Sequence, residues 1–211
     1  LNAGEPIVNE TDIKKKQPIT VYAEVTPNPA VMKFVSNKKI VPNTYEFKNI
    51  DEAKDSPLAI ELFHLPFVKE VFMDENYVSV TKYEVVDWEE INMQLREFIR
   101  DYLADGKDVV TAEAIQKSKE IIEQKTTGTD YDDTSLQIID ILEEYVKPAV
   151  AGDGGNILFQ SYEEESGTVS VILQGACSGC PSSTFTLKNG IETMLKNMMG
   201  EKIKEVVALN G

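Results

Sequence analysis

Cysteine, histidine and tryptophan are scarce in this chain of 211 residues. The only cysteines are Cys177 and Cys180, and the only histidine is His64. This count excludes a secreted domain held together by several disulfides, and a Ser–His–Asp triad cannot be argued from one histidine. A structural zinc site takes four ligands, so Cys177 and Cys180 of one copy cannot complete it. If they bind a metal centre, a second copy of the chain is the simplest source of the remaining ligands.

Long apolar runs and an excess of positive charge are also missing. No run approaches the length that spans a bilayer, and none of the short ones has the flanks of a signal peptide. The 21 Lys and Arg residues against 36 Asp and Glu residues give a net charge of −15, which phosphate backbones would repel. We therefore expect neither a membrane nor a nucleic acid as a partner. Because the chain begins at Leu1 rather than Met, we also expect that it has been trimmed.

Hydrophobic patterning predicts two small domains. Residues 1–18 are polar and predict a flexible arm. Residues 19–106 combine short alternating segments, which are typical of strands, with a long segment after Asp87 whose apolar residues recur at helical spacing. They predict an α/β domain with its own core. Residues 107–133 have few apolar positions and are predicted to be a linker with a possible helix.

Residues 134–211 predict a second domain with the element order α-β-β-α-β. Its first helix is expected to end at Pro148 and to have one apolar face, formed by Leu136, Ile139, Leu142, Tyr145 and Val146. Its second helix is expected to turn six apolar side chains inward, namely Phe185, Leu187, Ile191, Met194, Leu195 and Met198. This order suggests both helices on one face of a three-stranded mixed sheet. The fold class is accordingly α/β of the α+β kind.

The two cysteines form a C-x-x-C motif, Cys177–Cys180, between a predicted strand and a predicted helix. Such a motif can bind metal, act in redox chemistry or be two buried thiols. The free N–H groups and positive dipole end of the following helix favour thiolates, which metal and redox chemistry both need. Gly175 and Gly179 leave room beside the sulfurs for something larger than one ion. A thioredoxin-type site is less favoured, because the domain is small and Ala176 replaces the usual aromatic residue.

Two thiolates from each chain suit a site shared across a two-fold axis. Four thiolates complete either a tetrahedral zinc site or a four-iron cluster, and the spacing of the cysteines does not separate the two. A cluster held by only two ligands from each chain would be easy to release, which suits a carrier rather than an enzyme.

The chain resembles a known family in both halves. Residues 134–209 resemble the C-terminal domain of NifU, the Nfu domain, in three strings: Gly152–Gly155, Leu173–Ser183 and Thr186–Glu192. Residues 20–106 resemble the N-terminal domain of Nfu proteins in the following strings: Thr26–Pro29, Met32–Phe34, Ser56–Ala59, Leu62–Phe63, Val68–Val71 and Val80–Lys82. Asn156 departs from the family pattern, in which Asp commonly follows the paired glycines.

The resemblance implies an iron–sulfur cluster carrier that is not an enzyme. Nfu proteins hold a [4Fe–4S] cluster between two subunits and hand it to apo-proteins. By resemblance, Cys177 and Cys180 are the ligands, the homodimer forms through the cluster, and the partners are an upstream cluster donor and apo iron–sulfur proteins. The expected location is the bacterial cytoplasm, or the mitochondrial matrix if a targeting segment was removed.

Two other functions use the same cysteines, namely thiol–disulfide exchange with Cys177 as the nucleophile and a zinc-bridged interaction module. Three further residues have ordinary explanations beside functional ones. His64 is expected at the surface or in packing rather than as a ligand. Asp153 is expected in a turn, although it could orient the cysteine loop, and Lys188 is expected in solvent, although it could offset cluster charge.

Overall fold

The first half of the chain folds into a five-stranded sheet with two helices packed on it. The computed structural model describes residues 18–128, 131–178 and 181–211, so that most of the predicted arm lies outside the described residues. The elements are β1 (Val21–Val25), β2 (Val31–Ser36), β3 (Tyr45–Phe47), α1 (Pro57–Phe63), β4 (Val68–Asp74), β5 (Tyr77–Lys82) and α2 (Trp88–Ala104). All strand pairs are antiparallel, in the order β1-β2-β5-β4-β3.

One face of this sheet packs on α1 and α2 and forms the first hydrophobic core. Its largest fully buried side chains are Phe34, Leu58, Leu62, Met73, Leu95 and Ile99. Because side chains alternate along a strand, Val78 and Val80 of β5 enter this core while Tyr77 and Ser79 point to the opposite, outer face of the sheet. The outer face therefore carries polar groups that are nonetheless buried.

The segment predicted as a linker contains a helix, and its start packs on the first core. Helix α3 spans Ala112–Gly128. Three side chains before and within it are buried in the first core, namely Val109, Val110 and Ala114. The hydroxyl of Ser56 donates a 2.7 Å hydrogen bond to the carbonyl of Val109 and accepts one from the N–H of Ala59, so the same side chain also caps α1. The predicted boundary at Gly106 stays a prediction, and residues 129–130 lie outside the described residues.

The second half forms a three-stranded mixed sheet with its helices on one face, as predicted. Its elements are α4 (Asp133–Ile141), a π-helical turn (Leu142–Val146), α5 (Lys147–Gly152), β6 (Gly155–Glu163), β7 (Thr168–Gly175), α6 (Pro181–Met199) and β8 (Glu205–Asn210). The central strand β7 is antiparallel to β6 and parallel to β8. Ile138, Leu142, Ile191 and Leu195 from the helices pack on alternate residues of the strands in a second core. With the first sheet, this confirms the predicted α+β fold.

The first helix of the second half differs from the prediction in its buried face and in its end. The buried apolar residues are Ile138, Leu142, Val146 and Val150, which follow one another at a spacing of four. Leu142 and Val146 are thus buried as predicted, whereas Leu136 and Tyr145 are exposed. Pro148 does not end the helix but lies in the first turn of α5. The π-helical turn before it has already interrupted the regular hydrogen-bond ladder, so the missing N–H of proline is tolerated there.

Helix α6 buries fewer of its apolar side chains than predicted. Ile191 and Leu195 are buried, whereas Phe185 is 66% exposed and Met198 is 50% exposed. Phe185 lies six residues before Ile191, which at 3.6 residues per turn places it on another side of the helix. The described helices include none that is long and apolar enough to cross a membrane.

Candidate functional site

Cys177 lies in the loop that joins β7 to α6, at the carboxyl end of the central strand of the second sheet. Its side chain is 6% exposed and carries a free thiol. Cys180, the other predicted ligand, lies outside the described residues together with Gly179. The structure thus locates one of the two predicted sulfur ligands, and it locates the start of the helix that follows both.

Hydrogen bonds hold this loop, residues 175–178, in a tight turn. The N–H of Ser178 donates to the carbonyl of Gly175 at 3.0 Å, and the N–H of Ala176 donates to the carbonyl of Gly154 at 3.2 Å. The hydroxyl of Thr184 in α6 donates to the carbonyl of Cys177 at 3.2 Å. Gly175 has φ +62°, a conformation that glycine adopts without steric cost. Cys177 is therefore fixed between β7, α6 and the start of β6.

Gly155 at the start of β6 leaves the space that the cysteine side chain fills. A Cβ added to Gly155 would lie 2.8 Å from the sulfur of Cys177 and 2.5 Å from the carbonyl oxygen of Gln174. Neither contact is tolerated without movement of the loop. Gly155 is thus a steric requirement of the cysteine loop.

Polar side chains on the outer face of the first sheet and in its β1–β2 turn bind the backbone of the cysteine loop and of the segment that leads into β6. Four of them donate to carbonyls: Asn28 to Ala176 (3.3 Å), Lys33 to Gly152 (3.3 Å), Tyr77 to Gly155 (2.9 Å) and Ser79 to Gly154 (2.7 Å). The carboxylate of Glu46 accepts a 2.9 Å hydrogen bond from the N–H of Gly175. The sequence does not predict this contact between the two halves of the chain. The alternation of polar and apolar residues in β5 is the signal that it carries.

A small apolar contact accompanies these hydrogen bonds. It is formed by Val35, Phe72 and Tyr77 of the first half and Ala151 of the second. The ring of Phe72 also covers Gly175, because a Cβ added there would lie 2.8 Å from its Cγ. The two halves of the protein therefore meet at the cysteine loop through backbone that lacks side chains.

Burial raises the pKa values of Cys177 and Tyr77, which lie where the two halves meet. It raises the pKa of Cys177 to about 12, and the negative charge of Asp153 adds to the effect. Burial likewise raises the pKa of Tyr77, with further contributions from Asp74 and Cys177, so that its hydroxyl remains a donor. Burial and the charge of Asp153 oppose the thiolate that the helix end is expected to favour, so a thiolate at Cys177 stays a prediction.

Asn156 is buried in β6 beside the loop rather than in the glycine turn. Its Nδ2 lies 3.3 Å from the hydroxyl of Thr44 and 3.3 Å from Oε1 of Gln174, and the hydroxyl of Thr44 donates to Asp74 at 3.1 Å. Burial raises the pKa of Asp74. The Oδ1 of Asn156 has no hydrogen-bond partner among the described residues. A neutral amide at this position avoids a second carboxylate next to Asp74, which gives the departure from Asp a physical reason.

The three remaining candidate residues are His64, Lys188 and Asp153. The side chain of His64 is 59% exposed, with its Nδ1 3.9 Å from the carboxylate of Glu61. The ammonium of Lys188 lies 3.4 Å from the carboxylate of Glu205. Asp153 follows the last turn of α5 and is close enough to Cys177 to disfavour its thiolate.

The described residues contain no group of three or more His, Cys, Asp or Glu side chains that could hold a metal ion. Cys177 is therefore not joined by ligands from elsewhere in the described part of its own chain. Within the described ranges, the chain offers no further ligand set for a metal centre at this loop.

Two family models match the chain, one on each half. The model described as "Scaffold protein Nfu/NifU N terminal" matches residues 21–106, and the model described as "NifU-like domain" matches residues 138–207. The first match contains the five-stranded sheet, and the second contains the cysteine loop, β6, β7 and the first half of β8. Together the two matches cover most of the chain.

Curated relatives match across both halves. The "NFU1 iron-sulfur cluster scaffold homolog, mitochondrial" of Drosophila willistoni is 34% identical over 87% of this chain and 62% of its own length. The "NifU-like protein 4, mitochondrial" of Arabidopsis thaliana is 32% identical over 89% of this chain and 65% of its own length. The chain thus spans less than two thirds of the length of these relatives. Their names fit the mitochondrial alternative and give no support to the bacterial cytoplasm.

A solved structure is also similar. The solution NMR structure of a NifU-like protein from Saccharomyces cerevisiae matches 52% of this chain and 99% of its own, with 23% identity and a TM-score of 0.41. From the matches on its two halves, this chain belongs to the Nfu/NifU family and carries both the Nfu/NifU N-terminal domain and the NifU-like domain.

Proposed function

We propose that this protein is an iron–sulfur cluster scaffold that binds a [4Fe–4S] cluster between two copies of the chain. The ligands are Cys177 and Cys180 of each copy. The observation that carries the proposal is the cysteine loop itself, in which Cys177 is fixed at a strand end and the surrounding residues are glycine, alanine and serine. The names of the relatives describe iron–sulfur cluster scaffolds, which supports the same function here.

Two copies are required because one chain supplies only half of the ligands. Iron–sulfur clusters of this type take four cysteine thiolates, and the chain has only Cys177 and Cys180. The described residues add no His, Asp or Glu group that could complete the set within one chain. A two-fold axis beside the loop brings two pairs of sulfurs together with no further residue type.

The role of the protein is transfer rather than turnover. With two ligands from each chain, cysteines of an acceptor can replace Cys177 and Cys180 one after another, and each step exchanges one iron–thiolate bond for another. Such an exchange has little net cost in bonding and requires no nucleotide. The partners are an upstream cluster donor and apo iron–sulfur proteins, and the names of the relatives make the mitochondrion the proposed location.

Anaerobic reconstitution with iron and sulfide tests the ligand assignment. We expect the wild-type chain to become brown and both Cys177→Ser and Cys180→Ser to stay colourless, with far-UV circular dichroism unchanged because neither thiol is part of a disulfide in this proposal. The matched control is Ser161→Ala, an exposed position in the same domain. Full cluster absorption in either cysteine variant contradicts the assignment. A colourless wild-type protein that reduces disulfides favours the oxidoreductase, and one that binds only zinc favours the interaction module.

An acceptor assay tests the transfer step. Loaded protein is mixed anaerobically with an apo-[4Fe–4S] enzyme, in the presence of a chelator that removes free iron and without nucleotide. We expect the enzyme to gain activity as the cluster absorption of this protein is lost. If the enzyme remains inactive while the cluster stays in place, the protein is not a carrier.

A further inference from the structure

The outer face of the first sheet is an interaction surface for the cysteine loop of the same chain. We propose that the N-terminal domain is a detachable cap, and that it must leave this loop before two chains can share a cluster. This inference rests on the cluster-binding function proposed above. It adds that the N-terminal domain controls whether the cysteine loop is covered or accessible.

The cap recognises backbone rather than side chains. Four side chains of the first half donate to carbonyls next to Cys177, before β6 or at the first residue of β6, and Glu46 accepts from the N–H of Gly175. The donors are Asn28, Lys33, Tyr77 and Ser79. A Cβ added to Gly154 would lie 2.8 Å from Oγ of Ser79 and 3.3 Å from Cγ2 of Thr26. Only a loop built from glycine can approach the sheet this closely, so the surface is fitted to the segment that carries the cysteine.

The capped arrangement restricts the access of a second chain to the cysteine loop. Cys177 is 6% exposed, and its neighbours Ala176 and Ser178 are 2% and 6% exposed. A sulfur that binds iron together with sulfurs of a second chain must face that chain. In the capped state the first sheet covers the backbone on either side of Cys177, at Gly155, Gly175 and Ala176, while the side chain of Cys177 packs in the second core. A second chain therefore cannot reach the loop from the side of the first sheet.

The cap is held weakly enough to detach. Among the described residues its apolar cluster is small, consisting of Val35, Phe72, Tyr77 and Ala151, and hydrogen bonds make up much of the remaining contact. Each such bond contributes about 0.5–1.5 kcal/mol net, because water replaces the partner when the surfaces separate. The peptide groups involved lie in tight turns of intact domains, so neither core has to unfold when the two parts come apart.

The rate at which a thiol reagent labels Cys177 in iron-free protein measures capping directly. The Cys180→Ser chain has a single thiol, so labelling reports on Cys177 alone. In that background, Tyr77→Phe with Ser79→Ala removes two donors of the cap, and we expect labelling to become about tenfold faster. The matched control is Tyr22→Phe, since Tyr22 lies on the same sheet but is 51% exposed; it should leave the rate unchanged. Ser79→Arg, which places a bulky charge in the contact, should accelerate labelling further.

The same substitutions with both cysteines retained are then tested for cluster uptake. If Cys177 is labelled faster and the cluster is taken up faster, while the Tyr22→Phe control is unchanged, the cap is supported. Unchanged labelling in both Tyr77→Phe/Ser79→Ala and Ser79→Arg, with circular dichroism like that of the wild type, overturns it. Faster labelling with unchanged uptake also overturns it, because capping then does not limit loading. If no variant and no wild-type protein binds a cluster, the proposed function fails, while the labelling rates still decide whether the N-terminal domain shields Cys177.

Discussion

The hydroxyl of Tyr77 donates a 2.9 Å hydrogen bond to the carbonyl of Gly155, a residue 78 positions later in the chain. Gly155 in turn lies against Cys177, since a Cβ added to it would come within 2.8 Å of the sulfur. The first sheet and the cysteine are thus separated by one glycine. A change in how the two halves meet must therefore change the surroundings of the thiol.

We predict that Gly155→Ala disturbs the cysteine loop. The added methyl group would meet the sulfur of Cys177 and the carbonyl of Gln174, and overpacking of this kind costs about 1–3 kcal/mol. Urea unfolding should show this loss, and cluster retention after reconstitution should fall. The matched control is Gly190→Ala in α6, where a Cβ meets nothing within 4 Å. Because alanine is the better helix former, this control should gain about 0.5–1 kcal/mol. A fully stable Gly155→Ala chain with normal cluster content would contradict the steric role of this glycine.

We predict a pH-dependent gain in stability from Asp74→Asn. Burial raises the pKa of Asp74, so the folded state binds a proton more tightly than the unfolded state. The stability from that group is fully present below its ordinary pKa of 3.8 and is lost as the pH rises through the raised value. The asparagine variant, which can still accept from Thr44, should therefore match the wild type in acid and be more stable near neutral pH. Urea unfolding at several pH values measures this. Asp51→Asn, at an exposed position, serves as the control, and an equal gain at all pH values would contradict the explanation.

We predict that the first domain needs the start of the linker. A fragment of residues 18–106 lacks Val109 and Val110, each of which contributes about 1.5–3 kcal/mol when fully buried. It also leaves the Ser56 hydroxyl without the carbonyl of Val109. A fragment of residues 18–121 keeps these contacts and should unfold at a clearly higher urea concentration. If the two fragments have the same urea midpoint of unfolding, the domain ends at Gly106 and this prediction is wrong.

We predict that residues 131–211 fold and bind a cluster on their own. The second core contains side chains from this range alone, and Asp132 caps α4 by accepting a 2.6 Å hydrogen bond from the N–H of Ser135. Without the first sheet, the cysteine loop is open, so uptake should be faster than in the full chain. Gel filtration and cluster absorption check both points. An unfolded fragment, or a folded one that takes up no cluster, would contradict the independence of this domain.

The element order of the second domain and the position of its cysteine motif could be predicted because both are local. Alternation in the strands and helical spacing in Ile191 and Leu195 are visible within single segments. Spacing predicts the wrong face for Leu136 and Tyr145. Leu136 lies six residues before the buried Leu142, which places it on another side of the regular helix, and Tyr145 lies in the π-helical turn, whose altered register the sequence does not show. Phe185 is also exposed against the prediction, because an apolar residue near a helix end need not face the core.

The contact between the two halves could not be predicted from the sequence. Lys33, Tyr77 and Ser79 alternate with core residues exactly as solvent-facing strand residues do, and nothing in their type shows that another domain covers them. The glycines of the loop were interpreted as room for a metal centre, whereas Gly154 and Gly175 also admit the first sheet. Cys177 is buried in the second core, and burial raises the pKa of its thiol.

The most direct test of the central claim is the iron and sulfide content of the reconstituted full chain, measured together with its mass under native conditions. The account predicts a species of two chains with one four-iron cluster, about two iron and two sulfide per chain. It also predicts that the species reverts to chains without a shared cluster when the iron is chelated. A single chain that carries four iron and four sulfide, or a dimer that holds only zinc, would contradict it.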